Sequence, residues 1–337
     1  MKQLSITLML FVLANQPLAA QWSQQTINTT ADFRGLSAVT KDVAWVSGTK
    51  GTVGRTIDGG KTWEVIIIPG AEKLDFRDIE AFNDSTAYAL SIGPGENSRI
   101  YKTTDGGKNW KLQFTNPDKD AFYDAIAFWD ENHGIAMSDP VKGFYRLIIT
   151  DDGGNIWKPL SNNNMPAALP NEGAFAASGT CLITQGQNDA WFVTGGAKAA
   201  RVFHSKDRGQ SWTATETPIL AGKESAGIFS IAFKDSHIGM IVGGDYQKPN
   251  ETDSTAAITT DGGKTWKLIE NQLPFRSGVA WSDGRWIAIG TSGSNISTVE
   301  GATWKSPDQA NYNTVSFTKS GEGWAAGPKG RIARFVK

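Results

Sequence analysis

Thr56-Ile57-Asp58-Gly59-Gly60-Lys61-Thr62-Trp63 returns four more times along this 337-residue chain, at 103–110, 150–157, 205–212 and 259–266. A decayed sixth copy at 297–304 has Val299 where the others carry Asp. The octet reads as a turn feeding a strand. Its Asp (Asp58, Asp105, Asp152, Asp207, Asp261) can accept hydrogen bonds from backbone N–H groups, and its Gly residues supply positive φ. The Trp then opens the next strand with a large apolar face. Two short β-like runs precede each octet, such as 36–39 with 43–46, 79–82 with 87–90, and 126–128 with 134–137. Short strands at regular spacing with turn signals between them predict an all-β architecture.

The octet Trp residues stand at 63, 110, 157, 212, 266 and 304, giving steps of 47, 47, 55, 54 and 38. A period of ~40–50 residues with about four strands per unit marks a β-propeller. Gln21-Trp22-Ser23-Gln24-Gln25 matches the strand that follows an octet, and the chain finishes with three β-like runs at 315–317, 323–326 and 330–336 that lack a fourth. The N-terminal strand is therefore expected to complete the last blade. Counting Trp22, seven Trp positions predict one seven-bladed domain over 21–337.

Composition narrows the class. Lys plus Arg is 33 and Asp plus Glu is 34, so the electrostatic footprint of a nucleic-acid binder is absent. One Cys (Cys181) excludes an internal disulfide framework, a Cys-rich zinc site and a Cys-Cys redox pair. His133, His204 and His237 lie in different units without metal-ligand spacing, so no metal and no cofactor is expected. At the N-terminus, Lys2 precedes an apolar run at 6–14 and a small-residue end, Pro17-Leu18-Ala19-Ala20. This is the layout of a signal peptide over 1–20. It predicts export, to a periplasm, a thylakoid lumen in a photosynthetic host, or the medium.

The octets resemble the Asp-box, or bacterial neuraminidase repeat. The whole chain after residue 20 resembles the photosystem II stability/assembly factor family of exported propellers. That resemblance implies a scaffold that binds a partner polypeptide during assembly, without chemistry, a membrane-protein precursor being one such partner. Sialidases, sortilin-type receptors and some xyloglucan hydrolases share the box, so a sialidase-like glycoside hydrolase acting on a glycan is the alternative. A sialidase resemblance would require an Arg-Ile-Pro segment and six blades, neither of which this sequence offers.

The octets join third and fourth strands, so their Asp residues are expected to be structural and ligands to bind the opposite face. The segments leading into the innermost strands include Phe33-Arg34-Gly35, Phe76-Arg77-Asp78, Phe122-Tyr123-Asp124 and Phe275-Arg276-Ser277. Arg34, Arg77 and Arg276 share one offset and are expected to converge on a patch suited to carboxylates and peptide carbonyls. A ring of structural pairs with Asp78 and Asp124 is the competing expectation. The other loops of this face carry Asp139 and Asp245, and two insertions, 161–173 (with Glu172) and 245–255, collect there as binding-face insertions do. For a glycosidase, the candidate carboxylate pairs are Asp78 with Asp124, or Glu172 with Asp245. Phe33, Phe76 and Phe275 are expected in the core.

Overall fold

Each complete octet closes the same turn. The Asp58 carboxylate accepts the Thr62 amide at 2.9 Å, while Thr56 Oγ1 accepts the Gly60 amide at 2.8 Å. The pair repeats with Asp105 and Thr103, Asp152 and Thr150, Asp207 and Ser205, and Asp261 and Thr259. Hydrogen bonds from the Thr62 amide and hydroxyl hold Asp58 down at about 2. In the fourth octet Arg208 takes the place of the first Gly and pays the same left-handed backbone, φ 56°.

The structure, a computed structural model, describes residues 21–297 and 303–336; the proposed signal peptide and the centre of the decayed octet lie outside the described residues. Each octet links the third and fourth strands of a four-stranded antiparallel sheet, and there are seven such sheets. Blades 1 to 6 run over 33–67, 75–115, 123–159, 182–216, 226–268 and 278–308. Blade 7 takes three strands from 314–336 and its outermost strand, Gln21–Gln25, from the other end of the chain. That strand pairs antiparallel with Ile332–Val336, placing Trp22 opposite Phe335. The expected closure is present. Neighbouring innermost strands touch all the way round, from Phe33–Ala38 of blade 1 to Thr314–Phe317 of blade 7 and back. No helix among the described residues is long and apolar enough to cross a membrane.

The core lies between blades. Each inner blade strand is covered on both faces, so its apolar residues run together instead of alternating. Ala44, Trp45 and Val46 are all fully buried. Trp45 and Val53 of blade 1 pack with Phe76 and Ile79 of blade 2, and Phe33 and Val46 of blade 1 with Trp324 and Ile332 of blade 7. The octets clasp the preceding blade. Tyr88 Oη of blade 2 donates to Gly153 O of the third octet at 2.6 Å, and a Cβ on Gly154 would stand 2.9 Å from that Tyr ring. The octet aspartates are thereby tied into turns at blade interfaces.

Candidate functional site

Four innermost strands carry a β-bulge near their start. Pairing with the second strand skips Arg34 in blade 1, Arg77 in blade 2, Asp124 in blade 3 and Phe229 in blade 5. A bulge adds a residue to one strand and re-aims its side chain. All four skipped residues line one cleft of about 460 Å³ at the end of the channel opposite the octets. Asp139 and Phe175 also line it, as do Phe275 and Ser277 of the segment before blade 6 and Asn313 of the segment before blade 7.

The cleft has a floor made by the chain itself. Residues 174–181, leading into blade 4, lie across the channel. Arg34 Nη1 donates to Ala177 O at 3.3 Å and Arg77 Nη1 to Ala176 O at 3.1 Å. Thr314 Oγ1 of blade 7 donates to Ser178 O at 3.0 Å, and the Ile231 amide of blade 5 to Thr180 O at 3.1 Å. With the Ala174 amide donated to Asp139 of blade 3, this crosspiece ties blade 4 to five other blades. Its lack of a charged or patterned motif hid it from sequence reasoning.

Arg34 and Arg77 meet as expected; Arg276 does not join them. The innermost strand of blade 6 pairs with the second without a bulge, and Arg276 falls one residue too early, leaving Ser277 on the cleft. The Arg276 guanidinium is 2% exposed overall and turns inward to Asn295 Oδ1 (2.8 Å), Phe275 O (2.8 Å) and Ser292 Oγ (3.0 Å). Burial lowers its pKa to about 10. Its role is to pin the turn of blade 6. Arg77 pairs with Asp75 at 2.9 Å, not with Asp78. Burial, and then the charge of Arg77, depress the Arg34 guanidinium.

Tyr123 is also placed elsewhere. It is the counterpart of Phe33 and Phe76, pairing with Ser138 just before the bulge, and it packs on Phe114 at 5.4 Å in the groove between blades 2 and 3. Strand alternation sends Asp124 to the channel instead. Asp78 stitches blades 2 and 3 beneath the crosspiece, its oxygens accepting the Ile79 and Ile126 amides at 2.8 Å each. Burial, and then Glu80, push it well up.

Glu172 and Asp245 leave the cleft as well. Glu172 accepts from Arg201 Nε (2.8 Å) and Nη2, Thr194 Oγ1 (2.6 Å) and the Leu169 amide (2.8 Å), which staples the insertion to blade 4. Asp245 accepts from the Gln247 amide (3.0 Å) and pairs with Lys223 at 3.2 Å. The carboxylates named for glycosidase chemistry, Asp124 apart, are therefore committed to holding the fold.

Asp124 and Asp139 remain in the cleft. Asp139 accepts the Ala174 amide at 2.8 Å, and burial raises it to about 6. Burial, then the Asp139 charge, raise Asp124 well above the carboxylate range. An aromatic wall faces them: Phe175 stacks on Phe229 at 3.9 Å, and Phe275 meets Phe229 edge-on at 4.8 Å. Tyr246, 48% exposed, stands at the rim. Phe175 and Phe229 were not singled out in the sequence. Phe275 is buried, as expected, yet also lines the cleft.

Residues 145–322, more than half of the chain, match the family model described as sortilin, neurotensin receptor 3. Residues 14–116 match that of the photosynthesis system II assembly factor YCF48. No curated protein sequence matches significantly. Among solved structures, YCF48 bound to D1 peptide aligns with a TM-score of 0.69 at 17% identity, covering 94% of this chain and 97% of that one. YCF48 from Cyanidioschyzon merolae aligns at 0.65 and 20% identity, covering 94% and 98%. The WD40 β-propeller domain of Doa1 aligns at 0.62 and 12% identity, covering 95% and 97%.

Proposed function

We propose that this chain, which by more than half its length belongs to the family the sortilin model describes and over residues 14–116 matches the photosystem II assembly factor model, is an exported, non-catalytic scaffold that holds a partner polypeptide in the channel-mouth cleft. One observation carries the reading. Arg34 and Arg77 each hold a main-chain carbonyl of the crosspiece through Nη1, those of Ala177 and Ala176, so the mouth presents guanidinium groups already matched to peptide carbonyls. Guanidinium groups with several fixed donors suit that task. The similar structure of YCF48 is described as bound to a D1 peptide, which supports a peptide ligand for this chain too. The pattern of residues 1–20 supports export, and a membrane-protein precursor is the partner class that fits an exported assembly factor. The octets, read as Asp-boxes, serve the fold on the far face.

The test uses overlapping short peptides tiled through the envelope proteins of the source cell. Wild-type protein retains a discrete subset of them, and that binding weakens with added salt as exposed charges are screened. The double variant Arg34→Glu, Arg77→Glu retains none of the subset while its thermal melt stays cooperative. Undiminished retention by the folded double variant removes the arginines from the site and overturns the proposal.

A further inference from the structure

Asp124 is only 1% exposed, lines the mouth cleft, and among the described residues no group hydrogen-bonds to its Oδ2. Buried carboxylate oxygens are ordinarily paired, so an orphan aimed into a cavity marks a place where a ligand donor belongs. Asp139 shares the cleft, with Oδ1 held by the Ala174 amide. Across from the two carboxylates stands the aromatic wall of Phe175, Phe229 and Tyr246, whose π faces attract cations. We propose that this end of the cleft takes a cationic side chain of the bound segment, a lysine ammonium or arginine guanidinium. Arg34 and Arg77 line the same cleft and hold the crosspiece carbonyls of Ala177 and Ala176. The inference rests on the cleft being a polypeptide site and adds the residue class it selects.

The surroundings favour a cation. Blade 2 contributes Arg77, Asp78 and Glu80, blade 3 the Tyr145 phenol, and blade 4 Cys181 and the Glu172–Arg201 pair. Arg77 is shared with Asp75, and Arg201 is spent on Glu172. Asp78 and Glu172 already have donors on both oxygens. Asp124 and Asp139 are the carboxylates that line the cleft itself, and burial penalises charging both together. A ligand cation reverses that penalty. It favours the ionised carboxylates, so binding lowers their pKa values and releases protons. Affinity then rises with pH through about 6, where Asp139 titrates, and falls below it. A ligand carboxylate at the same place has the opposite pH dependence.

The probes are acetylated, amidated pools of short peptides that differ only in one fixed residue: Lys, Arg, Gln or Glu. They are titrated by fluorescence anisotropy onto the full chain. Blocking both ends confines any cation to the side chain, and a pool with free N-termini tests whether a terminal ammonium substitutes. The Lys and Arg pools bind about tenfold more tightly than the Gln pool near pH ~7.5, the factor that corresponds to one pKa unit. The advantage disappears towards pH ~5 and in Asp124→Asn, Asp139→Asn, whose amides keep the shape. Should the double variant fail to fold, Asp139→Asn alone shows a partial loss. Equal Lys and Gln binding, or a preference for Glu, overturns the inference. Pools that bind, lose binding with Arg34→Glu, Arg77→Glu, and still ignore the fixed cation overturn it while leaving the polypeptide site standing. Pools that never bind overturn both.

Discussion

Deleting residues 21–27 abolishes the cooperative melt, and Trp22→Ala alone lowers stability by ~3–5 kcal/mol, the range for large aromatic truncations in a core. Trp22 is 8% exposed and packs on Phe335 at 5.2 Å and Tyr312 at 5.7 Å, with its indole N–H donated to Ser294 Oγ at 3.0 Å. Gln25 then bridges the seam between the last blade and the first. Its Oε1 accepts the indole N–H of Trp63 at 3.0 Å and of Trp324 at 3.2 Å, while Nε2 donates to Gly59 O at 3.1 Å. Without this strand Ile332–Val336 becomes an open edge and Ile27 leaves the cluster it shares with Trp324 and Ile332. Thermal and urea melts check both variants. An unchanged midpoint for the deletion contradicts closure by the N-terminal strand.

Arg201→Ala has an effect of the same order, ~3–5 kcal/mol, because it strands a buried carboxylate. The Glu172 side chain is 0% and that of Arg201 9% exposed. Removing the guanidinium leaves Glu172 with only the Thr194 hydroxyl and the Leu169 amide. Replacing both partners with apolar residues, Glu172→Met with Arg201→Leu, costs much less, since no charge is then buried. The insertion 161–173 precedes the crosspiece directly, so the single variant also loosens the mouth. Urea titration of the three proteins decides it: a single-variant loss below ~1 kcal/mol, or a double variant no better than the single, contradicts the staple.

The ring was legible because its signals are local. Turn chemistry in the octet and the spacing of Trp63, Trp110, Trp157, Trp212 and Trp266 are written in short segments, and Trp22 repeats them. The cleft was legible only in part because it depends on one-residue shifts of register. Aligning Phe122 with Phe76 placed Tyr123 where Arg77 stands, whereas the bulge makes Tyr123 the counterpart of Phe76 and Asp124 that of Arg77. The same offset misassigned Arg276, whose strand lacks a bulge. Glu172 found its partner 29 residues away, a distance no motif spans. Ala174-Phe175-Ala176-Ala177-Ser178-Gly179 of the crosspiece is uncharged and, Phe175 apart, made of small residues, and its importance comes from what it crosses.

The most direct measurement is hydrogen–deuterium exchange of the full chain with and without a retained envelope peptide. Binding in the cleft changes exchange in the crosspiece, 174–181, and at the bulges around Arg34, Arg77, Asp124 and Phe229, and leaves the octet turns as they were. Protection confined to the octet turns or to the outermost strands, with the crosspiece unmoved, contradicts the assignment of the channel mouth as the binding site.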